Sequence, residues 1–214
     1  VEQLEWEFKY PALMDRLDMQ VLAKLASQLP DNSKVVEIGS RVGGSAKIIL
    51  DHAPKTISMT CIDEEWKPDY PLASNPLKHH SMFHLIDLFP KILDHESTYS
   101  YIKEALRDHD NVTLLPASSP YDLQNWNQMV DFVFEDSSHL NPQLNDNLRF
   151  WWDKLNYGGI MVGHDYTELW PDVISEVNLL ATREGCELHV EGWVWWVVKK
   201  VKKSKKEKTA SYST

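Results

Sequence analysis

Residues 130–166, VDFVFEDSSHLNPQLNDNLRFWWDKLNYGGIMVGHDY, constrain what this chain can fold into more than any other stretch. A mostly apolar run, Val130 to Phe134, delivers Glu135, Asp136 and, three residues later, His139 into a loop. A helical stretch follows, then Gly158-Gly159, then a second apolar run ending in Gly163-His164-Asp165-Tyr166. Two buried strands thus stop at acidic and imidazole groups, with a helix as the crossover between them. In a parallel sheet that crossover returns the chain to the same edge, so the polar ends converge. Chemistry is expected at that edge.

The rest of the chain supplies the remaining strands. Apolar residues at Met14, Leu17, Val21, Leu22, Leu25 and Leu29 keep a helical spacing, which Pro30-Asp31-Asn32 stops. Lys34 to Ser45 reads as a short buried strand, a glycine turn and a helix start. That helix runs on to Leu50, and Ala53-Pro54 closes it. Ile57–Ile62 is a second strand ending at Asp63-Glu64-Glu65-Trp66, Tyr99–Leu106 a helix, and Val112–Leu115 a third strand before the loop Ala117-Ser118-Ser119-Pro120. Pro171 to Arg183 is helical, with proline in the first turn and Asp172 near the positive end. Leu188–Val190 and Trp193–Val198 form a closing hairpin whose second strand, apolar on both faces, suits insertion into the sheet. Strands alternating with helices predict an α/β fold: a doubly wound, mostly parallel, Rossmann-like sheet with an antiparallel last strand. One domain over 1–198 is expected, with an irregular insert or lid at about 67–96.

Composition narrows the function. Of 214 residues 43% are apolar and 25% charged, an ordinary globular balance. Nine tryptophans are many, and several fall in predicted core segments, which points to packing. The net charge is −10, yet residues 199–214 carry seven lysines against one glutamate. This basic tail is too polar to bury anything and is expected to be disordered and solubilising. The acidic body argues against nucleic acid as the main substrate, leaving weak contact to the tail. Cys61 and Cys186 stand in no metal or redox spacing and read as reduced core residues of a cytoplasmic protein. No run is long enough to span a membrane, and none reads as a signal peptide.

Glu37-Ile38-Gly39-Ser40-Arg41-Val42-Gly43-Gly44-Ser45 is the first ligand candidate. Glycines at a strand-to-helix turn let backbone approach a ligand at a helix N-terminus. Arg41 takes the place of the middle glycine in the dinucleotide pattern GxGxxG. Glu37, inside the strand, is costly to bury unpaired and suits a ligand ammonium better than a pyrophosphate. Asp63 ends the second strand 20 residues beyond Gly43, where a carboxylate can accept both ribose hydroxyls. Together they read as a site for an adenosine-type cofactor, and NAD and S-adenosylmethionine both satisfy it.

At EIGSRVGGS, CIDEEW, LLPASSP, DSSH, YGG and GHDY, between about Val35 and Val177, the chain resembles the class I S-adenosylmethionine-dependent methyltransferases. More narrowly it is similar to the metal-dependent branch that includes macrocin-type sugar O-methyltransferases. The resemblance implies a seven-stranded sheet and places Glu37, Gly39, Ser40, Gly43 and Ser45 around the methionine part of the cofactor. Asp63 would hold its ribose, and Ala117 and Ser118 would border the adenine. Asp136, also beside the cofactor, and Asp165 would ligate a divalent cation, magnesium or manganese, with His164 beside them. Asp136 and His139 would be the catalytic groups, His139 as general base. Two carboxylates suit a hard cation that leaves sites open for substrate oxygens and lowers a hydroxyl's pKa. An imidazole three residues past a ligand can take the hydroxyl proton near neutral pH. The implied acceptor is a small sugar-like or polyhydroxylated molecule; the implied oligomeric state is open.

Two departures from the family pattern stand out, and the insert is a separate matter. His164 replaces a carboxylate found in some metal-dependent relatives, so either it stands behind the ligands or the metal is softer than magnesium, such as manganese or iron. Asn141 and Asn147 occupy places where the branch often has Tyr and Asp. In the insert, His80, His84 and Asp87 would share one helix face, which reads more simply as a solvated face than as a metal site. Two rivals remain from the residues alone: an NAD-dependent oxidoreductase on a similar sheet, against which the missing GxGxxG counts, and a non-catalytic cofactor-binding relative, which would have no need of both DSSH and GHDY.

Overall fold

The computed structural model describes residues 14–67 and 98–200. The insert beyond Lys67, with His79, His80, His84, Asp87 and His95, and the tail beyond Lys200 lie outside the described residues. Seven strands form one sheet: β1 (Lys34–Ile38), β2 (Ser58–Ile62), β3 (Val112–Leu115), β4 (Val130–Glu135), β5 (Leu155–Gly163), β6 (Leu188–Glu191) and β7 (Val194–Val198). Their order is β3-β2-β1-β4-β5-β7-β6. The first five are parallel, and β7 runs antiparallel to both β5 and β6. The hairpin's second strand is thus inserted, as its two apolar faces predict. Val194, Trp195 and Val197 are each at most 1% exposed.

Helices α1 (Arg16–Ser27), α2 (Gly44–His52) and α3 (Thr98–Ala105) contribute to one apolar cluster, and α4 (Gln143–Lys154) and α5 (Pro171–Glu184) to the other. The strands feed both clusters by alternation. Val35, Phe132 and Phe134 face the first, and Val36, Ile38 and Val133 the second. Trp151, fully buried, belongs to the second. Burying a side chain of the Leu or Phe kind stabilises by roughly 1.5–3 kcal/mol each, so these two layers hold the sheet. One expectation needs correction. Gly158-Gly159 does not precede the fifth strand but lies inside it, at an irregularity where the β4–β5 register shifts between Val130 and Phe132. Gly158 sits at φ +84, and a Cβ on Gly159 would lie 2.9 Å from the Asp131 carbonyl oxygen, so a close β4–β5 approach requires glycine here.

Register explains where the site forms. Leu115 pairs with Ile62, Ile62 with Ile38, Ile38 with Glu135, and Glu135 with Gly163. Five parallel strands therefore end level. The residues that follow the inner four, Asp63, Gly39, Asp136 and His164, emerge side by side.

Candidate active site

A cavity of about 550 Å³ opens along this carboxyl edge. Its floor includes Gly39, Ser40, Gly44, Ser45 and Asp63 at one end and Asp136, His139, His164 and Asp165 at the other. Gly39 is required by geometry: its φ is +88, and a Cβ would fall 2.2 Å from the Asp136 carbonyl oxygen. Gly43 caps α2 at φ +80 and packs on Ile102, while Gly44 and Ser45 put the first turn of α2 on the cavity.

Glu37 lies one residue inside β1 and is fully buried. Among the described residues neither of its carboxylate oxygens, nor the Ser40 hydroxyl, has a hydrogen-bond partner. Burial pushes its pKa up; Ser40, Ser45 and Cys61 face it and offset only part of that cost. Asp63 is spoken for in part. Its Oδ2 accepts the Arg41 N–H at 2.7 Å, and its Oδ1 accepts the Glu65 N–H at 2.8 Å, capping the short 3-10 turn Glu64–Trp66. Burial and the neighbouring Glu65 push it to about 7. Each oxygen keeps a lone pair for a further donor. Ala117 borders the cavity, as does Ser119. The Ser118 hydroxyl turns to Glu64, donating at 2.7 Å.

At the other end Asp136, His139 and Asp165 each offer a ligand atom within 4.8 Å of the other two. His139 Nε2 lies 2.6 Å from Asp165 Oδ2, and its ring stacks on Trp170 at 4.3 Å. Burial works against charge on His139, but the Asp165 contact together with the charges of Asp165, Asp136 and Glu135 outweighs it and raises its pKa. Burial raises Asp136 to about 7, with the charge of Asp165 adding and His164 subtracting. Asp165, at φ +60, is held well below the usual carboxylate range: burial would raise it, but His139 and His164 prevail.

His164 is only 5% exposed and stands behind this trio. Its Nε2 lies 3.0 Å from Asp18 Oδ2, and its Nδ1 is 3.5 Å from Asp165 Oδ2 and 3.9 Å from Asp136 Oδ1. Burial disfavours its charge, yet contacts to Asp165 and Asp18 push it up to about 10.

Sequence reasoning did not find Asp18, Trp170 or Trp193. Asp18 had a signal: it stands four residues before Leu22 and seven before Leu25, an acid on the apolar face of α1. Trp170 and Trp193 line the cavity, and Trp170 also packs against the second apolar cluster. Asn147, one of the departures from the branch's pattern, is fully buried. It accepts from the Ser119 hydroxyl at 2.8 Å and donates to that of Ser137 at 3.0 Å. Asn141 bonds to Asp172 and Glu176 on α5.

The residues fit the groups that chemistry of this kind needs. An orphaned buried carboxylate, Glu37, and a second raised acid, Asp63, around a glycine turn suit a ligand carrying ammonium and sulfonium charge. Two carboxylates and an imidazole within reach of one point suit a divalent cation.

Sheet order, the inserted antiparallel β7 and the cleft at the strands' carboxyl ends define the class I methyltransferase fold. A family model described as "Methyltransferase domain" matches residues 36–166, more than half of the chain. The chain belongs to this methyltransferase-domain family. Solved structures share the fold. A precorrin-6y C5,15-methyltransferase from Geobacter metallireducens superposes with TM-score 0.58 at 15% identity, over 85% of this chain and 88% of that one. A SAM-dependent O-methyltransferase from Thermotoga maritima gives TM-score 0.60 at 10% identity, over 93% and 70%. Fibrillarin from Aeropyrum pernix, with natively bound S-adenosyl-L-methionine, gives 0.52 at 13%, over 84% and 74%. No curated protein matches the chain by sequence. Among the described residues no helix is long and apolar enough to cross a membrane.

Proposed function

We propose that this methyltransferase transfers the methyl group of S-adenosylmethionine to a hydroxyl of a small sugar-like or polyhydroxylated acceptor, with help from a divalent cation, magnesium or manganese. The observation that carries the reading is the convergence of Asp136, His139 and Asp165 in the cavity that also holds the glycine turn. S-adenosylmethionine supplies an electrophilic methyl on a sulfonium, and the cation supplies a Lewis acid that makes a hydroxyl easier to deprotonate. Glu37, Gly39, Ser40, Gly43 and Ser45 hold the methionine part, Asp63 the ribose, and Ala117 and Ser118 border the adenine. Asp136 and Asp165 hold the cation and orient the acceptor oxygen. His139 accepts the hydroxyl proton at Nε2, and Asp165 raises its affinity for that proton. Trp170 keeps the imidazole in place by stacking and, with Trp193, offers flat apolar walls against which a ring can lie. Glu64 and Glu65 on the cavity wall disfavour a polyanionic acceptor.

Asp136→Asn and Asp165→Asn, assayed for S-adenosylhomocysteine release across a panel of hydroxylated acceptors, test the reading. Turnover should collapse in both variants and in chelator; turnover that survives all three treatments excludes the metal-assisted reaction. The 2.6 Å His139–Asp165 contact favours a second version, in which Asp165 only orients the base. Chelator-resistant turnover that still needs His139 selects it.

A further inference from the structure

Asp18 reaches the site from α1, 146 positions from its partner His164. Its two oxygens do different things. Oδ1 accepts the Trp193 N–H at 2.9 Å and ties down the turn between β6 and β7; Oδ2 faces His164 Nε2 at 3.0 Å. Asp18 is 2% exposed, and a Cβ on Gly192, at φ +63 in that turn, would fall 2.1 Å from Asp18 Oδ1. The carboxylate and the ring are therefore both enclosed. With Nε2 committed, Nδ1 is the atom turned to Asp165 and Asp136, at 3.5 and 3.9 Å. A carboxylate on one ring nitrogen, with the other facing anionic donors, is how proteins orient a metal-binding imidazole.

We propose that Asp18 is a positioning residue that presents His164 Nδ1 as a nitrogen donor to the cation held by Asp136 and Asp165. The inference rests on the metal-assisted reading above and sharpens it. His164 would keep its Nε2 hydrogen, donated to Asp18 Oδ2, and would offer the Nδ1 lone pair to the cation. His139, in contact with Asp165, remains free to serve the acceptor proton. A site of two carboxylates and one imidazole favours a first-row transition ion over magnesium.

Mn²⁺ is the probe, added with S-adenosylhomocysteine to protein labelled with ¹⁵N-histidine, and pulsed paramagnetic resonance reads nitrogen coupling to the ion. Coupling should be present in the wild type and in His139→Ala and absent in His164→Gln. Asp18→Asn should weaken Mn²⁺ binding roughly 10–100-fold, with S-adenosylhomocysteine affinity at the wild-type level. Asp18→Ser, smaller and still polar, is the second variant if Asp18→Asn fails to fold. Coupling that follows His139 instead of His164 overturns the proposal, as does wild-type Mn²⁺ affinity in a folded Asp18 variant. A wild-type protein that binds neither Mn²⁺ nor Mg²⁺ overturns the metal-assisted reading itself, and this inference with it.

Discussion

The two edges of this sheet are built on opposite rules. At the amino edge polar groups close on one another. Asp131 accepts the Lys34 N–H at 2.8 Å and the Asn156 amide at 2.7 Å, Asn111 donates to the Ile57 carbonyl, and Lys199 donates to the carbonyls of Trp152 and Leu155 where α4 ends. At the carboxyl edge, among the described residues, Glu37 and one oxygen of Glu135 lack partners. There too Asp63, Glu135 and Asp136 are pushed to about 7, and Arg41 and Asp165 take positive φ. One edge spends its polar capacity on the fold; the other keeps it open for ligands at a cost that the two apolar layers offset.

The largest test of that contrast is His139→Ala. Turnover should fall roughly 10²–10⁴-fold while S-adenosylhomocysteine affinity by calorimetry is unchanged. Equal loss of both would make the carboxyl edge a structural element like its counterpart.

Next comes pH. Glu135 and Asp63 have pKa values raised by burial to about 7 from 4.5 and 3.8. A raised acid contributes stability that is complete below its ordinary value and is lost as pH rises through the folded value. Asp165, held low, acts in the opposite sense, but its contribution is complete above its ordinary value and is lost only in stronger acid. The urea midpoint of the ligand-free protein should therefore drop between pH 4.5 and 7. Glu135→Gln should flatten that drop by on the order of 3 kcal/mol. Parallel curves for the two proteins would mean that the Glu135 charge does not oppose folding.

At the amino edge Asp131→Asn should lower stability by about 1–2 kcal/mol and leave both turnover and cofactor affinity alone. A change in turnover would break the division between edges. The smallest effect belongs to Ser118→Ala. With its hydroxyl on Glu64, loss of about 0.5–1 kcal/mol of stability is expected at unchanged S-adenosylhomocysteine affinity. A marked loss of affinity would show that this hydroxyl serves the ligand instead.

Much of this was legible in the chain. Val112–Leu115 is a strand as its three apolar residues predict, and Met14–Leu29 contains α1 because apolar residues recur at helical spacing. Val130–Phe134 and the run before GHDY become neighbouring parallel strands, as a crossover helix requires. Gly158-Gly159 misled because a glycine pair reads as a turn, whereas here it lets β5 bend past β4. The tryptophans split for the same kind of reason. Trp151 lies within a helix whose periodicity declares its buried face, but Trp170 and Trp193 sit in connections, where no local period says what they touch.

By itself, then, the sequence determined the elements, their order along the chain, and the arrival of Asp136, His139, His164 and Asp165 at strand ends. Each of those follows from periodicity and turn chemistry among near neighbours. Only the tertiary structure decided how those groups share their charges: His139 on Asp165, His164 between Asp18 and the carboxylates, Asn147 sealed beneath the site. Those pairings depend on level strand ends and on the packing of α1 beneath the β6–β7 turn. Contacts between residues as distant as Asp18 and His164 are set by that packing in three dimensions, which no local pattern encodes.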